Sequence, residues 1–284
     1  MMIHQSKISL LAVFSLLLAL LACAIPGAEA PAVVPPTVDT AQLDAIVAKT
    51  VAAALQLTAS AATPTPPATS TSEPTLEPTA SATHLPQSSI TGQADGNRFF
   101  VDETAGFNML VPPGWLPVRI DQLEYYDAFS LPEAADPIVQ TALLQINSLD
   151  PKIYRLFIFD LQDGHLQNGF VNNVNVVLDA GSSISLKTDE EIKATAAALP
   201  EAVPGLVVQS SSVTETAAGL QMGVILSELG GQNGNGAALT LFQKQVYLNV
   251  KGGVLVITFT TEEGIKDATL PFFDAMIESI QLGE

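Results

Sequence analysis

Hydrophobic and polar positions divide the chain into stretches of different kinds. Residues 8–22 form an apolar run broken only by Ser9 and Ser15, behind a short polar start that contains Lys7. That length suits the apolar part of an export signal better than a spanning helix. Residues 38–58 read as one short amphipathic helix. Leu43, Ile46, Val47, Val51, Ala54 and Leu55 follow helical spacing, and Asp39 with Gln42 resembles a capping box. So short a helix barely forms alone in water, so the stripe is either a marginal helix or a contact surface. Residues 59–97 are Thr, Pro, Ser and Ala with repeated Thr-Pro and Glu-Pro steps. Such sequence buries too little apolar surface to order itself. Proline stiffens it, and fully extended it reaches on the order of 120 Å. A disordered stalk is the expectation.

From residue 98 the pattern becomes that of a folded domain. Residues 98–102 and 107–111 alternate as two strands around a turn at 103–106, and Pro112-Pro113-Gly114 stops the second. Residues 116–136 are ambiguous, with helical patches near 122–129. A helix is predicted over 137–149, with Asp136 as cap and Pro137 in its first turn. Strands follow at 153–161 and 170–179. A helix follows at 188–199, with Thr188 and Glu191 as a capping box and Pro200 and Pro204 ending it. Strands at 206–216, 220–229, 239–250 and 254–260 make a meander whose breaks are glycine-rich, including a flexible tip at 230–236. A last helix covers 267–279. This order predicts an α+β domain over 98–284, helices laid on an antiparallel sheet.

Composition narrows the setting. The formal charge is −18, which excludes nucleic acid or anionic lipid held through a basic surface. Cys23 is the chain's single cysteine, so no disulfide framework is available. At roughly 185 residues the domain is long enough to hold by its core. Leu20-Leu21-Ala22-Cys23 resembles the bacterial lipobox. That resemblance implies a signal peptide over 1–22, diacylglycerol (palmitate-type acyl chains) on Cys23 as the new N-terminus, and a flexible segment over 23–37. Stacked acyl chains anchor stably at ~0.8 kcal/mol per buried methylene. Ala28-Glu29-Ala30 fits an ordinary cleavage site, but Pro31 follows it. An uncleaved anchor is the third option. All three put the domain outside the cytoplasm.

Candidate chemistry is sparse. Asp160, Asp163 and His165 surround one turn, with Asp179 on the next strand, and His165 is the domain's only histidine. Such a set can hold a divalent cation, although Asp-Gly is also plain turn chemistry. Trp115, the only tryptophan, is either a ligand platform or a lid on the core. Asn172, Asn173 and Asn175 make either a polar ligand or partner face or the solvated side of an edge strand. No G-x-S-x-G elbow appears, and the 230–236 loop lacks the Lys-Ser/Thr ending of a phosphate loop. Carboxylate pairs of glycosidase type cannot be located by spacing. No cofactor is called for beyond the divalent cation.

Residues 106–115, Gly-Phe-Asn-Met-Leu-Val-Pro-Pro-Gly-Trp, resemble the opening of PsbP-like domains. Asn173-Val174-Asn175-Val176-Val177 resembles a strand of the same group, and the apolar positions of 254–280 resemble its final strand and helix. The resemblance implies an α/β/α sandwich and a binding or assembly role, not catalysis. The expectation is a lipid-anchored extracytoplasmic module acting on an envelope component. The alternatives are a small-ligand or cation binder at the Asp160 turn and an unrecognised hydrolase.

Overall fold

The computed structural model describes residues 88–166, 168–232 and 237–283. The export signal, Cys23, the 38–58 helix and the stalk up to residue 87 lie outside these residues. Alternation along the strands builds two antiparallel sheets. The smaller contains β1 (Ser88–Gly92), β2 (Arg98–Asp102), β3 (Phe107–Val111) and β11 (Gln281–Leu282), in the order β1-β2-β3-β11. The larger contains β4 (Trp115–Val118), β5 (Tyr154–Asp160), β6 (Asn173–Ala180), β7 (Leu206–Glu215), β8 (Gln221–Gln232), β9 (Ala238–Val250) and β10 (Gly253–Glu262). Its order is β4-β5-β6-β10-β9-β8-β7. Among the described residues four α-helices accompany them: α1 (Leu123–Ala128), α2 (Pro137–Ile146), α3 (Glu190–Ala202) and α4 (Lys266–Glu278).

The large sheet is buried on both faces, so its strands carry two interleaved apolar sets. On β10, Val254 and Val256 join the core shared with α1, α2 and α3, while Leu255, Ile257 and Phe259 join the core shared with the small sheet and α4. Each fully buried side chain of this size contributes ~1.5–3 kcal/mol relative to exposure. Strand β5 shows how strictly parity is kept. Leu156 and Ile158 face the small sheet, yet Tyr154 faces the helices, because a bulge between Tyr154 and Leu156 inserts a residue and flips the alternation. The two sheets are joined by the buried pair Asp102–Arg155, Nε to Oδ2 2.6 Å, with Asp102 also accepting from the Thr104 and Ala105 amides. Gly223 lets α3 approach β8: a Cβ there would stand 2.0 Å from Ile192 Cδ1.

Several expectations change. Strand β1 (Ser88–Gly92) lies inside the stretch assigned to the linker, because a strand with a single large apolar residue (Ile90) reads as linker. There β1 pairs with β2, and Arg119 donates to the Ser88 carbonyl. The ambiguous 116–136 stretch holds β4, α1 and a 3-10 turn at Pro132–Ala134. Thr188 caps nothing. Glu191 instead accepts from the Ser185 amide, and Asp189 from that of Val213. Helix α3 also runs through Pro200 to Ala202. Gly230 and Gly231, assigned to a hairpin tip, are paired in β8 with Thr240 and Leu239.

Candidate functional site

Strand parity places an unusual set of side chains on the helix-facing side of the large sheet. Asn173 and Asn175 share that side of β6 with Val177. Thr258 and Thr260 share it on β10 with Val254 and Val256. Gln243 and Gln245 share it on β9 with Leu241 and Tyr247, and Ser227 shares it on β8 with Ile225. Register sets them in two rows. One runs Asn175–Thr258–Gln245, the other Asn173–Thr260–Gln243–Ser227. None of the seven is more than 6% exposed. The result is a belt of amides and hydroxyls across the central strands, where apolar residues would ordinarily sit.

The belt is only partly satisfied from within. Gln243 Nε2 donates to Thr260 Oγ1 at 3.3 Å, the Tyr247 hydroxyl donates to Gln245 Oε1 at 2.8 Å, and Asn173 Nδ2 donates to the Val171 carbonyl at 3.1 Å. Asn175 Oδ1, Ser227 Oγ, Gln243 Oε1, Gln245 Nε2 and Thr258 Oγ1 are buried without a hydrogen-bond partner. Buried polar atoms of this kind are rare in folded proteins and each costs about 1–3 kcal/mol when left unmade. Tyr247 is fully enclosed beside them, and burial pushes its hydroxyl well above the ordinary tyrosine range. Helix α3 packs on β7 and β8 and α1 on β4, and α2 adds Val139, Leu143 and Ile146 to the same helix-facing core.

The sequence-derived candidates are distributed as follows. Asn173 and Asn175 belong to the belt. They are on a central strand and buried, so the solvated-edge reading is corrected: β6 is flanked by β5 and β10. Asn172 belongs to a second network at the end of the sheet. There Asp160, fully buried, meets His165 Nδ1 at 2.6 Å and accepts from Asn172 Nδ2 at 3.1 Å and the Gln162 amide at 3.1 Å. Asn172 Oδ1 accepts from Thr261 Oγ1, which in turn accepts from Thr269 on α4. This chain ties the β5–β6 connection to β10 and α4.

Asp163 is exposed and joins no part of that network. Asp179 lies at the other end of β6, opposite Val254, because β5 and β6 are antiparallel. Six residues of strand separate it from Asn173, about 20 Å. Only Asp160 and His165 of the proposed cation ligands therefore meet, and no group of three or more His, Cys, Asp or Glu suited to a metal occurs among the described residues.

Trp115 is buried against Phe259 and Phe272, each with ring centroids 6.2 Å away, which is the core-closing role. Its Nε1 has no partner. With Arg98, Gly114, Leu116, Glu133 and Leu161 it lines a cleft of about 200 Å³. Gly114 ahead of it is required twice over: its φ is +82°, and a Cβ would stand 2.7 Å from Gln162 Cγ. Trp115 and the three asparagines are all too buried to form an exposed partner surface.

Sequence reading missed Ser227, Gln243, Gln245, Thr258 and Thr260. The available signal was a polar-x-polar step inside otherwise apolar strands, repeated at Asn173-x-Asn175, Gln243-x-Gln245 and Thr258-x-Thr260.

No protein-family model matches the chain, and no curated protein matches it in sequence. Among solved structures, it is similar to cyanobacterial PsbP of Synechocystis, at 12% identity over 71% of this chain and 96% of that one, with a TM-score of 0.39. It is also similar to LpqN, involved in cell envelope biogenesis of Mycobacterium tuberculosis, at 13% identity over 70% and 91%, TM-score 0.37. A protein of Bacteroides thetaiotaomicron is similar at 12% identity over 66% and 48%, TM-score 0.36. The first of these carries the name of the group that residues 106–115 resemble. The α+β class follows from the strand order and the layering of the two cores.

Proposed function

We propose that the protein is a lipid-anchored, non-enzymatic extracytoplasmic module that binds another component of the cell envelope. The observation that carries the non-enzymatic part of this reading is the chemistry of the belt. Its seven side chains are uncharged amides and hydroxyls, with no carboxylate, imidazole or thiol among them. Acid–base or nucleophilic chemistry needs titratable or activated groups within reach, and the belt supplies none. The Asp160–His165 pair is engaged by the fold itself, through Asn172 and the Gln162 amide. The anchor rests on the lipobox-like Leu20-Leu21-Ala22-Cys23 and the Thr/Pro-rich stretch after it, which gives a tethered domain its reach.

Two measurements test the anchor: the intact mass of the mature protein and membrane fractionation. The reading expects a chain starting at Cys23 with acyl chains attached, and release of Cys23→Ala from the membrane. A mature chain starting at Pro31 with no lipid would overturn it.

A further inference from the structure

We infer that the cleft beside Trp115 binds a small zwitterion, a molecule of amino-acid size that joins an oxyanion to a protonated amine. The cleft holds about 200 Å³ and is lined by Arg98, Gly114, Trp115, Leu116, Glu133 and Leu161. Gly114 and Glu133 are exposed and Arg98 and Leu161 half-buried, so the site opens to solvent, with the buried Trp115 and Leu116 behind them. Its volume is that of roughly six or seven waters at ~30 Å³ each, which admits an amino acid but not a nucleotide or an oligosaccharide.

The charges decide the class. Of the chain's three arginines, Arg119 is bound to Glu124 and the Ser88 carbonyl, and Arg155 to Asp102 and the Pro151 carbonyl. The Arg98 guanidinium makes no hydrogen bond or ion pair among the described residues, and neither does the Glu133 carboxylate. They line one small cleft and do not close on each other. Both positions are fixed by the fold. Arg98 opens β2, paired with Gly92 of β1 on one side and Val111 of β3 on the other. Glu133 lies in the 3-10 turn Pro132–Ala134, held by the fully buried Ala134, whose carbonyl accepts from Gln140 Nε2 at 2.6 Å. A cation and an anion are thereby set within one cleft, each with its hydrogen-bonding capacity unspent. A guanidinium receives a carboxylate or phosphate through parallel N–H bonds, and a carboxylate receives an ammonium group. Glu133 disfavours a simple anion and Arg98 a simple cation, so a ligand that carries both charges gains most. Leu116, Leu161 and the Trp115 ring supply the apolar wall that small-molecule sites combine with a few placed polar groups. Neither the anchor nor the envelope contact proposed above depends on this site.

The test is a titration of the full-length protein in detergent, read by isothermal calorimetry and by the fluorescence of Trp115, the chain's only tryptophan. The probes are glycine, L-leucine and O-phosphoethanolamine. The controls are 4-methylpentanoate and isoamylamine, each of which lacks one of leucine's two charges. Each compound is taken to about 10 mM, which reaches dissociation constants near 1 mM. The expected result is saturable binding of at least one zwitterion, with the single-charge compounds weaker by about tenfold or more. Arg98→Gln and Glu133→Gln should each weaken the zwitterion by about tenfold or more, the loss of one charge-assisted contact. Their urea midpoints should stay near that of the natural chain, because neither side chain has a partner to lose.

Binding of glycine or leucine alone would support the site as one for free amino acids, and binding of phosphoethanolamine alone as one for the same zwitterion on a lipid headgroup. No saturable signal from any zwitterion would overturn the inference. So would binding that neither variant weakens, or a single-charge compound that binds as tightly as the zwitterion. Each of these results would leave the envelope-binding module standing.

Discussion

Thr258 and Thr260 stand two residues apart on β10, on the same face, both fully buried. They differ in one respect: Thr260 Oγ1 accepts from Gln243 Nε2, and Thr258 Oγ1 has no partner. Valine matches threonine in shape and β-branching, so each Thr→Val change isolates the hydroxyl. Thr258→Val removes a buried, unpaired group whose burial costs about 1–3 kcal/mol, so stability should rise by about 1 kcal/mol or more. Thr260→Val breaks one neutral hydrogen bond and leaves the buried Gln243 amide unpaired, so stability should fall by about 1–3 kcal/mol. The assay is urea denaturation followed by the fluorescence of Trp115, the only tryptophan. The midpoint should shift with the slope unchanged. A loss of stability in Thr258→Val equal to that in Thr260→Val would refute the reasoning. It would mean that the Thr258 hydroxyl is satisfied after all, by an ordered water, and that the belt is structural.

Three further outcomes follow from the packing and the polar network. Asp160→Ala should cost about 3 kcal/mol or more in urea denaturation, because it leaves several buried donors unpaired. His165→Ala should cost about 1–2 kcal/mol, and equal losses would show that the pair alone, and not the wider network, holds the corner. Gly223→Ala should destabilise by about 1–3 kcal/mol through its clash with Ile192. Ile192→Ala in the same chain should recover part of the loss if that contact is the cause. Stability should also fall in alkali. Burial raises the Tyr154 hydroxyl to about 12 and pushes Tyr247 higher still. The unfolded chain loses these protons near pH 10. Between about pH 10 and 12 the folded state binds more protons than the unfolded one, so stability falls as pH rises through that window. Urea midpoints from pH 9 to 11 check this, and Tyr154→Phe should flatten the decline.

Much of the strand order was legible because both faces of the large sheet are buried, so β9 and β10 read as long apolar runs bounded by glycine turns. The small sheet was not. β11 has only two residues and pairs with β3, about 170 residues away in sequence, and nothing local announces that contact. The Asp160–His165 pair was legible because its members are five residues apart on one turn. Asp179 was misplaced because proximity to the next strand does not say which end of that strand it occupies. Asn173 and Asn175 stood out in the sequence, but their partners did not. The belt exists only once β6, β10 and β9 align, and that register depends on pairings between segments some 80 residues apart.

The measurement that tests the account most directly is crosslinking in intact native cells, followed by affinity capture and mass spectrometry. It compares the natural chain with Cys23→Ala. A tethered binding module predicts one envelope component captured in stoichiometric amount by the natural chain and diminished when the anchor is removed. Equal recovery of the same component by both chains, or none by the natural chain while it remains at the membrane, would contradict it.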